Sequence, residues 1–143
     1  MTSDQPREPA ILLARDRLDF ALERYVELFS LRPRRVVAAG FSQGSALLSA
    51  AVLTGALRLD GLAILAGFVS KVGAQEHIQG SPDLFVAHGT ADDVLPVGRA
   101  REGVERLRSY GLKVTYIEEE GVGHKLGIEG MRALKEWMAR VGG

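Results

Sequence analysis

The sequence predicts an α/β fold, an open and mostly parallel sheet of about four strands with flanking helices. Three observations carry this. Short apolar runs at 35–39, 62–66, 84–88 and 113–118 have the length and composition of strands. Amphipathic stretches separate them, and such strand–helix alternation builds a parallel sheet with right-handed crossovers. The runs do not alternate apolar with polar residues, as expected of strands covered on both faces.

Each element follows in order. Residues 1–10, MTSDQPREPA, are polar and hold Pro6 and Pro9. They are expected to form a flexible arm before one domain at 11–143. Ile11, Ala14, Leu18, Ala21, Leu22, Tyr25, Val26 and Phe29 recur at helical spacing, with Arg15, Asp19, Glu23 and Glu27 on other faces. Leu31-Arg32-Pro33 ends that helix. Arg35 to Ala39 reads as a buried strand, 43–57 as a helix and LAILA as the next strand. Residues 69–81 are a polar connection that leads to LFVAH. Val97, Ala100, Val104 and Leu107 mark a helix, KVTYIE a fourth strand, and Met131, Leu134, Met138 and Val141 the last helix.

Composition narrows the function. A chain of 143 residues can bury a real core. Its 18 basic and 18 acidic side chains cancel, which argues against a nucleic-acid partner. The absence of cysteine excludes disulfides, thiolate zinc sites and a cysteine nucleophile. The polar start has no apolar signal region, and no apolar run approaches the ~18 residues of a membrane span. A cytoplasmic location is therefore expected.

In open α/β sheets, sites lie beyond the carboxyl ends of the strands. The first strand is followed by Gly40-Phe41-Ser42-Gln43-Gly44, and the second by Gly67-Phe68. After the third comes His88-Gly89-Thr90-Ala91-Asp92-Asp93, and after the fourth Gly121-Val122-Gly123-His124. A serine, an aspartate and a histidine thus share one edge of the sheet. With 17 glycines and 8 serines, chance alone supplies roughly 0.1 G-x-S-x-G patterns, so context must decide. The context fits a sharp strand-to-helix turn that exposes the serine hydroxyl. Gly40 and Gly44 are expected to be required there, because side chains at both positions would clash. The helix that follows aims backbone N–H groups at a developing oxyanion.

The plainer reading of Ser42 is a helix N-cap. Of the histidines, His77 is expected in solvent, and His88 to support the turn after its strand. His124 is placed to reach back over the sheet edge. Asp92 and Asp93 compete to orient it, and spacing does not choose between them. GVGHKLG superficially resembles a dinucleotide loop, but its third glycine is one residue late. Glu118-Glu119-Glu120 reads as a solvated turn, and Arg32, Arg34 and Arg35 as a solvated loop.

GFSQGS, LAGF, HGTADDVLPV and GVGH, in this order, resemble the phospholipase/carboxylesterase family of the α/β-hydrolase superfamily. That family includes acyl-protein thioesterases and small bacterial esterases. The resemblance covers roughly residues 11–141. It implies Ser42 as nucleophile, His124 as base, and Asp92 rather than Asp93 as the orienting acid. It further implies the Gln43 N–H as an oxyanion donor, with Phe41, Phe68 and Val94 against the substrate. The implied reaction is hydrolysis of a small-molecule carboxylic ester or thioester through an acyl-enzyme, with no metal or organic cofactor.

One departure shapes the expectation. The family places strands and a helix before the helix at 11–29, among them an H-G-x-G loop that supplies a second oxyanion donor. Nothing here matches that loop. The chain is therefore expected to form the C-terminal portion of an α/β-hydrolase fold, with the nucleophile strand as an open edge. Such an edge invites a homodimer. The alternative function is a weakly active or inactive remnant that binds or dimerises.

Overall fold

The computed structural model describes residues 8–143. Strands β1 (Val37–Phe41), β2 (Gly61–Leu65), β3 (Asp83–Gly89) and β4 (Val114–Glu119) form one open sheet in the order β1-β2-β3-β4. Every neighbouring pair is parallel. Helices α1 (Glu8–Leu28), α2 (Gln43–Leu53), α3 (Val97–Ser109) and α4 (Ile128–Gly142) flank it, with a short 3-10 turn at Gln75–His77. Among the described residues, no helix is long and apolar enough to cross a membrane.

The period of two along a strand sorts side chains between two cores. Leu62 and Ile64 of β2 and Leu84 and Val86 of β3 face α2 and α3, where they meet Val52, Leu53, Val104 and Leu107. Ala63, Leu65, Phe85 and Ala87 point the other way, onto Trp137 and Val141 of α4. All five residues of β2 are buried, as a strand covered on both faces must be, whereas β1 buries only Gly40. Strand β1, which leads into Ser42, is an edge of this sheet, as expected.

Several boundaries differ from the sequence reading, each for a local reason. Helix α1 begins at Glu8, with Pro9 in its first turn, where a missing N–H is tolerated. Residues 1–7 of the expected arm lie outside the described residues. Its end is set by Ser30, at φ 50°, one step before the predicted breaker. The Leu31 N–H then reaches the Val26 carbonyl at 2.9 Å. Ile11 is buried and Leu18 and Leu22 pack on the core, but Tyr25 and Phe29 of the same predicted stripe are more than half exposed.

Strand β1 starts two residues late because the Val36 N–H goes to the Asp60 carboxylate at 2.8 Å, and ladder pairing begins with Val37 opposite Gly61. Helix α2 stops at Leu53 rather than 57, and Gly55, at φ 73°, turns the chain out. On α4 the buried face runs through Gly130, Trp137 and Val141, while Met131 and Met138 face solvent. The cause is Gly61. A Cβ there would lie 2.8–3.1 Å from Val141 and Trp137, so the helix seats its indole directly on the bare start of β2.

Candidate active site

Only Ser42 separates the end of β1 from the start of α2. It takes φ 52° and ψ −119°, a conformation that L residues rarely adopt, and its side chain makes no cap to the helix. The N-cap reading therefore fails on geometry. Gly40 makes this turn possible, since a Cβ there would sit 2.6 Å from the Ser45 nitrogen and 2.7 Å from the Gly44 carbonyl. Gly44 does not share that constraint. A Cβ on it would meet nothing within 4 Å, which corrects the expectation that both glycines are sterically required. The buried Ser45 hydroxyl donates to the Gly40 carbonyl at 2.9 Å and locks the turn from inside. Gly67, after β2, is also forced at this turn, because a Cβ there would run into the Ser45 side chain and the Ser42 carbonyl.

The two loops beyond β3 and β4 are tied together. Gly89 passes against the Val122 and Gly123 carbonyls with no room for a side chain. The Thr90 N–H donates to the Glu119 carbonyl and the Ala91 N–H to the Val122 carbonyl, both at 3.0 Å. The Gly121 N–H donates to the Thr90 hydroxyl at 2.9 Å. These bonds bring Asp92 and His124 face to face.

Asp92 is buried, and Asp93 beside it is exposed. The Asp92 Oδ1 accepts from the N–H groups of Val94 at 2.9 Å and Leu95 at 2.8 Å. Its Oδ2 lies 2.8 Å from His124 Nδ1. Burial pushes the Asp92 carboxyl up, but the Leu95 N–H, the His124 ring and the Val94 N–H outweigh it and leave it below its ordinary value. An ionised carboxylate at Nδ1 requires that nitrogen to carry the proton. His124 Nε2 is then the acceptor, and it lies 3.1 Å from Ser42 Oγ. A hydroxyl, an imidazole and a carboxylate thus stand in one hydrogen-bonded line, able to take a proton from Ser42 as its oxygen forms a bond.

The remaining predicted residues divide. As the first residue of α2, Gln43 carries an N–H that a helix leaves without an internal acceptor. The Phe41 ring, 49% exposed, lies 5.2 Å from the His124 ring, and Val94, 61% exposed, stands on the loop beside Asp92. Both remain open to a ligand. Phe68 does not. It is 5% exposed, packed with Ala46 and Leu95 and covered by the Arg99 guanidinium 4.1 Å above its ring. It fills the core behind the site, just after the positive φ of 44° at Ala66.

Two buried groups stand behind the site: His88 supports the turn after its strand, as its position implied, and Glu119 was not legible in the sequence. His88 lies under Asp92, its Nε2–H donating to the Leu95 carbonyl at 2.7 Å and standing 3.3 Å from Asp92 Oδ2. Among the described residues its buried Nδ1 has no partner. Glu119 corrects the reading of the glutamate run as a solvated turn. It is 6% exposed, and its two oxygens accept from the Gly127 N–H at 2.9 Å and the Gly130 N–H at 2.7 Å. It thereby fixes the start of α4 and closes the loop that carries His124. Glu118 is held at about 2 by the Arg101 guanidinium and the Tyr116 hydroxyl, and Glu120 alone is a free surface charge.

Comparison with known proteins agrees with this architecture. The acyl-protein thioesterase 1 of Emericella nidulans is 26% identical over 141 residues, 94% of this chain and 59% of its own. Lysophospholipase-like protein 1 of Mus musculus is 26% identical over 113 residues, 76% of this chain and 47% of its own. A probable inactive carboxylesterase of Oryza sativa subsp. japonica is 28% identical over 114 residues, 76% of this chain and 46% of its own. The chain spans about half the length of these relatives. The carboxylesterase of Bacillus cereus superposes with a TM-score of 0.82 at 20% identity over 99% of this chain and 66% of that one, a likeness of fold. The phospholipase/carboxylesterase family model matches residues 19–141, the whole stretch from α1 to α4 that builds the serine turn and both partner loops, and the chain belongs to that family.

Proposed function

We propose that this protein is a serine hydrolase that cleaves carboxylic ester or thioester bonds through an acyl-enzyme. The observation that carries the reading is the unbroken line from Ser42 Oγ through His124 to Asp92, at 3.1 and 2.8 Å. Ser42 Oγ attacks the carbonyl carbon while its proton passes to His124 Nε2. The carbonyl oxygen becomes an oxyanion and takes the Gln43 N–H. As the tetrahedral adduct collapses, the carbon–oxygen or carbon–sulfur bond to the leaving group breaks, and His124 returns the proton to that group. Water then repeats the sequence, with His124 as base, to release the acid and restore Ser42. Asp92 holds the tautomer and offsets the charge that His124 gains. Family membership and the named relatives support the ester or thioester bond as the target.

Phe41 and Val94 lie where they would border the substrate. A homodimer is proposed as well. Ser42 donates to Leu65 and Val36 accepts from Asp60, so the even positions of β1 face β2. The N–H and C=O groups of Val37, Ala39 and Phe41 therefore face away from the sheet. Two such edges pair antiparallel about a two-fold axis, each serving the other.

Hydrolysis of p-nitrophenyl acetate tests the enzymatic reading. Activity should vanish in Ser42→Ala and His124→Ala variants that keep the wild-type fold. Equal activity in Ser42→Ala would overturn it.

A further inference from the structure

We infer that His88 is a positioning residue for the reaction, holding the Asp92 carboxylate ionised and aligned on His124; the inference rests on the hydrolase reading above. His88 stands near the end of β3, and its side chain is fully buried. Its Nε2 lies 2.7 Å from the Leu95 carbonyl and 3.3 Å from Asp92 Oδ2. A carbonyl only accepts, so the ring proton is on Nε2. The same N–H thus serves the Leu95 carbonyl directly and lies beside the carboxylate oxygen that holds His124.

The Leu95 peptide completes the connection. Its C=O accepts from His88, and its N–H donates to Asp92 Oδ1 at 2.8 Å. His88 therefore acts on one carboxylate oxygen through Leu95 and on the other by its own N–H. Both effects favour a carboxylate over a carboxylic acid. When His124 gains the serine proton, its Nδ1 proton must stay in place. Moved onto Oδ2, it would cancel the charge that stabilises the imidazolium. A second N–H beside that oxygen disfavours the move.

Packing does not account for an imidazole at this position. Its Nδ1 is buried and, among the described residues, has no hydrogen-bond partner. Leaving a buried polar atom unpaired is destabilising, and a phenylalanine ring would fill similar space without it. What distinguishes the imidazole from an apolar ring is the Nε2–H and its two neighbours, both of them parts of the loop that presents Asp92.

The test uses the full chain. In the wild type, proton–nitrogen NMR correlations of the imidazoles should show His88 protonated at Nε2 and bare at Nδ1, and a proton on Nδ1 alone overturns the inference. Three variants then grade the donor. His88→Phe removes it, and His88→Asn sets it one bond short. His88→Gln carries an amide nitrogen the same number of bonds from Cβ as Nε2. With p-nitrophenyl acetate, His88→Phe and His88→Asn should lower kcat about 10–100-fold with KM within about twofold, the pattern of lost alignment. Both should also displace the low-field proton resonance of the His124 Nδ1–H. His88→Gln should keep kcat within about threefold of the wild type and restore that resonance. A structural role alone would lower the melting temperature and leave kcat per folded molecule and the resonance unchanged. That result in His88→Phe, or in His88→Asn should the first not fold, overturns the inference, as does a folded His88→Gln as slow as His88→Phe. If the wild type hydrolyses no ester, the hydrolase reading fails, and His88 is judged by its tautomer and by the His124 resonance alone.

Discussion

Asp92 divides its two oxygens between two tasks. Oδ1 holds its own loop through the Val94 and Leu95 N–H groups, and Oδ2 holds His124. Asp92→Asn should keep the first task, since an amide oxygen can still accept those bonds. It should lose the second, leaving the imidazole in the wrong tautomer. The expected result is a fall in kcat on the order of 10⁴ with a melting temperature close to that of the wild type. Loss of fold in step with activity would show a structural role only. Glu119 reverses this pattern. Glu119→Ala leaves the Gly127 and Gly130 N–H groups buried without acceptors, and should cost about 2–4 kcal/mol in urea unfolding. An effect below about 0.5 kcal/mol would mean that the α4 cap does not need it. Spacing alone left Asp92 and Asp93 level, and only the resemblance to the family's acid motif favoured Asp92. Nothing in the sequence singled out Glu119. It lies between Glu118 and Glu120 with no local feature to distinguish it, and its burial depends on where α4 lands.

The first residue of β3 ties α4 to the sheet. Asp83 accepts from the Trp137 indole N–H at 2.7 Å and from Arg140 at 2.8 Å, and Lys113 stands 3.4 Å away. Burial raises its carboxyl, but the Arg140 and Trp137 bonds prevail and leave it below its ordinary value. The sign follows from that direction. The folded chain keeps the carboxylate ionised where the unfolded chain, at about 3.9, begins to protonate. The contribution is therefore complete above that pH and is lost as pH falls below it. Asp83→Asn should lower the melting temperature at pH 7, and the gap from the wild type should close below about pH 4. A gap that does not shrink at all as pH falls from 5 to 2 would assign the effect to packing. Helix existence and order were legible from periodicity here, but the phase of α4 was not. Hydropathy favours Met131 and Met138, whereas the contact is decided by Gly61 and Gly130, residues that carry no hydrophobic signal. Helix α1 shows the same limit, since Tyr25 and Phe29 fit the stripe and yet α2 covers only its Ile11–Leu22 part.

At the scale of the whole molecule, the alternating pattern of strands and helices was enough to give the sheet and to place Ser42, Asp92 and His124 on one edge. Side-chain direction was not readable, so Phe68 was expected at the substrate and lies in the core, and Gly44 was expected to be crowded and is not. The edge of β1 is where the proposed association would occur. Ala39→Lys puts a charge at the centre of the proposed pairing without touching the ladder to β2. It should shift sedimentation from dimer to monomer, and a wild type that sediments as a monomer at high concentration would contradict the pairing. The proposed hydrolase depends on one nucleophilic serine held at the end of β1. The most direct measurement is mass spectrometry after reaction with a fluorophosphonate. One adduct is expected on the peptide containing Ser42, absent in Ser42→Ala and formed much more slowly in His124→Ala. An adduct that persists in Ser42→Ala, or a folded wild type that takes no label, would contradict it.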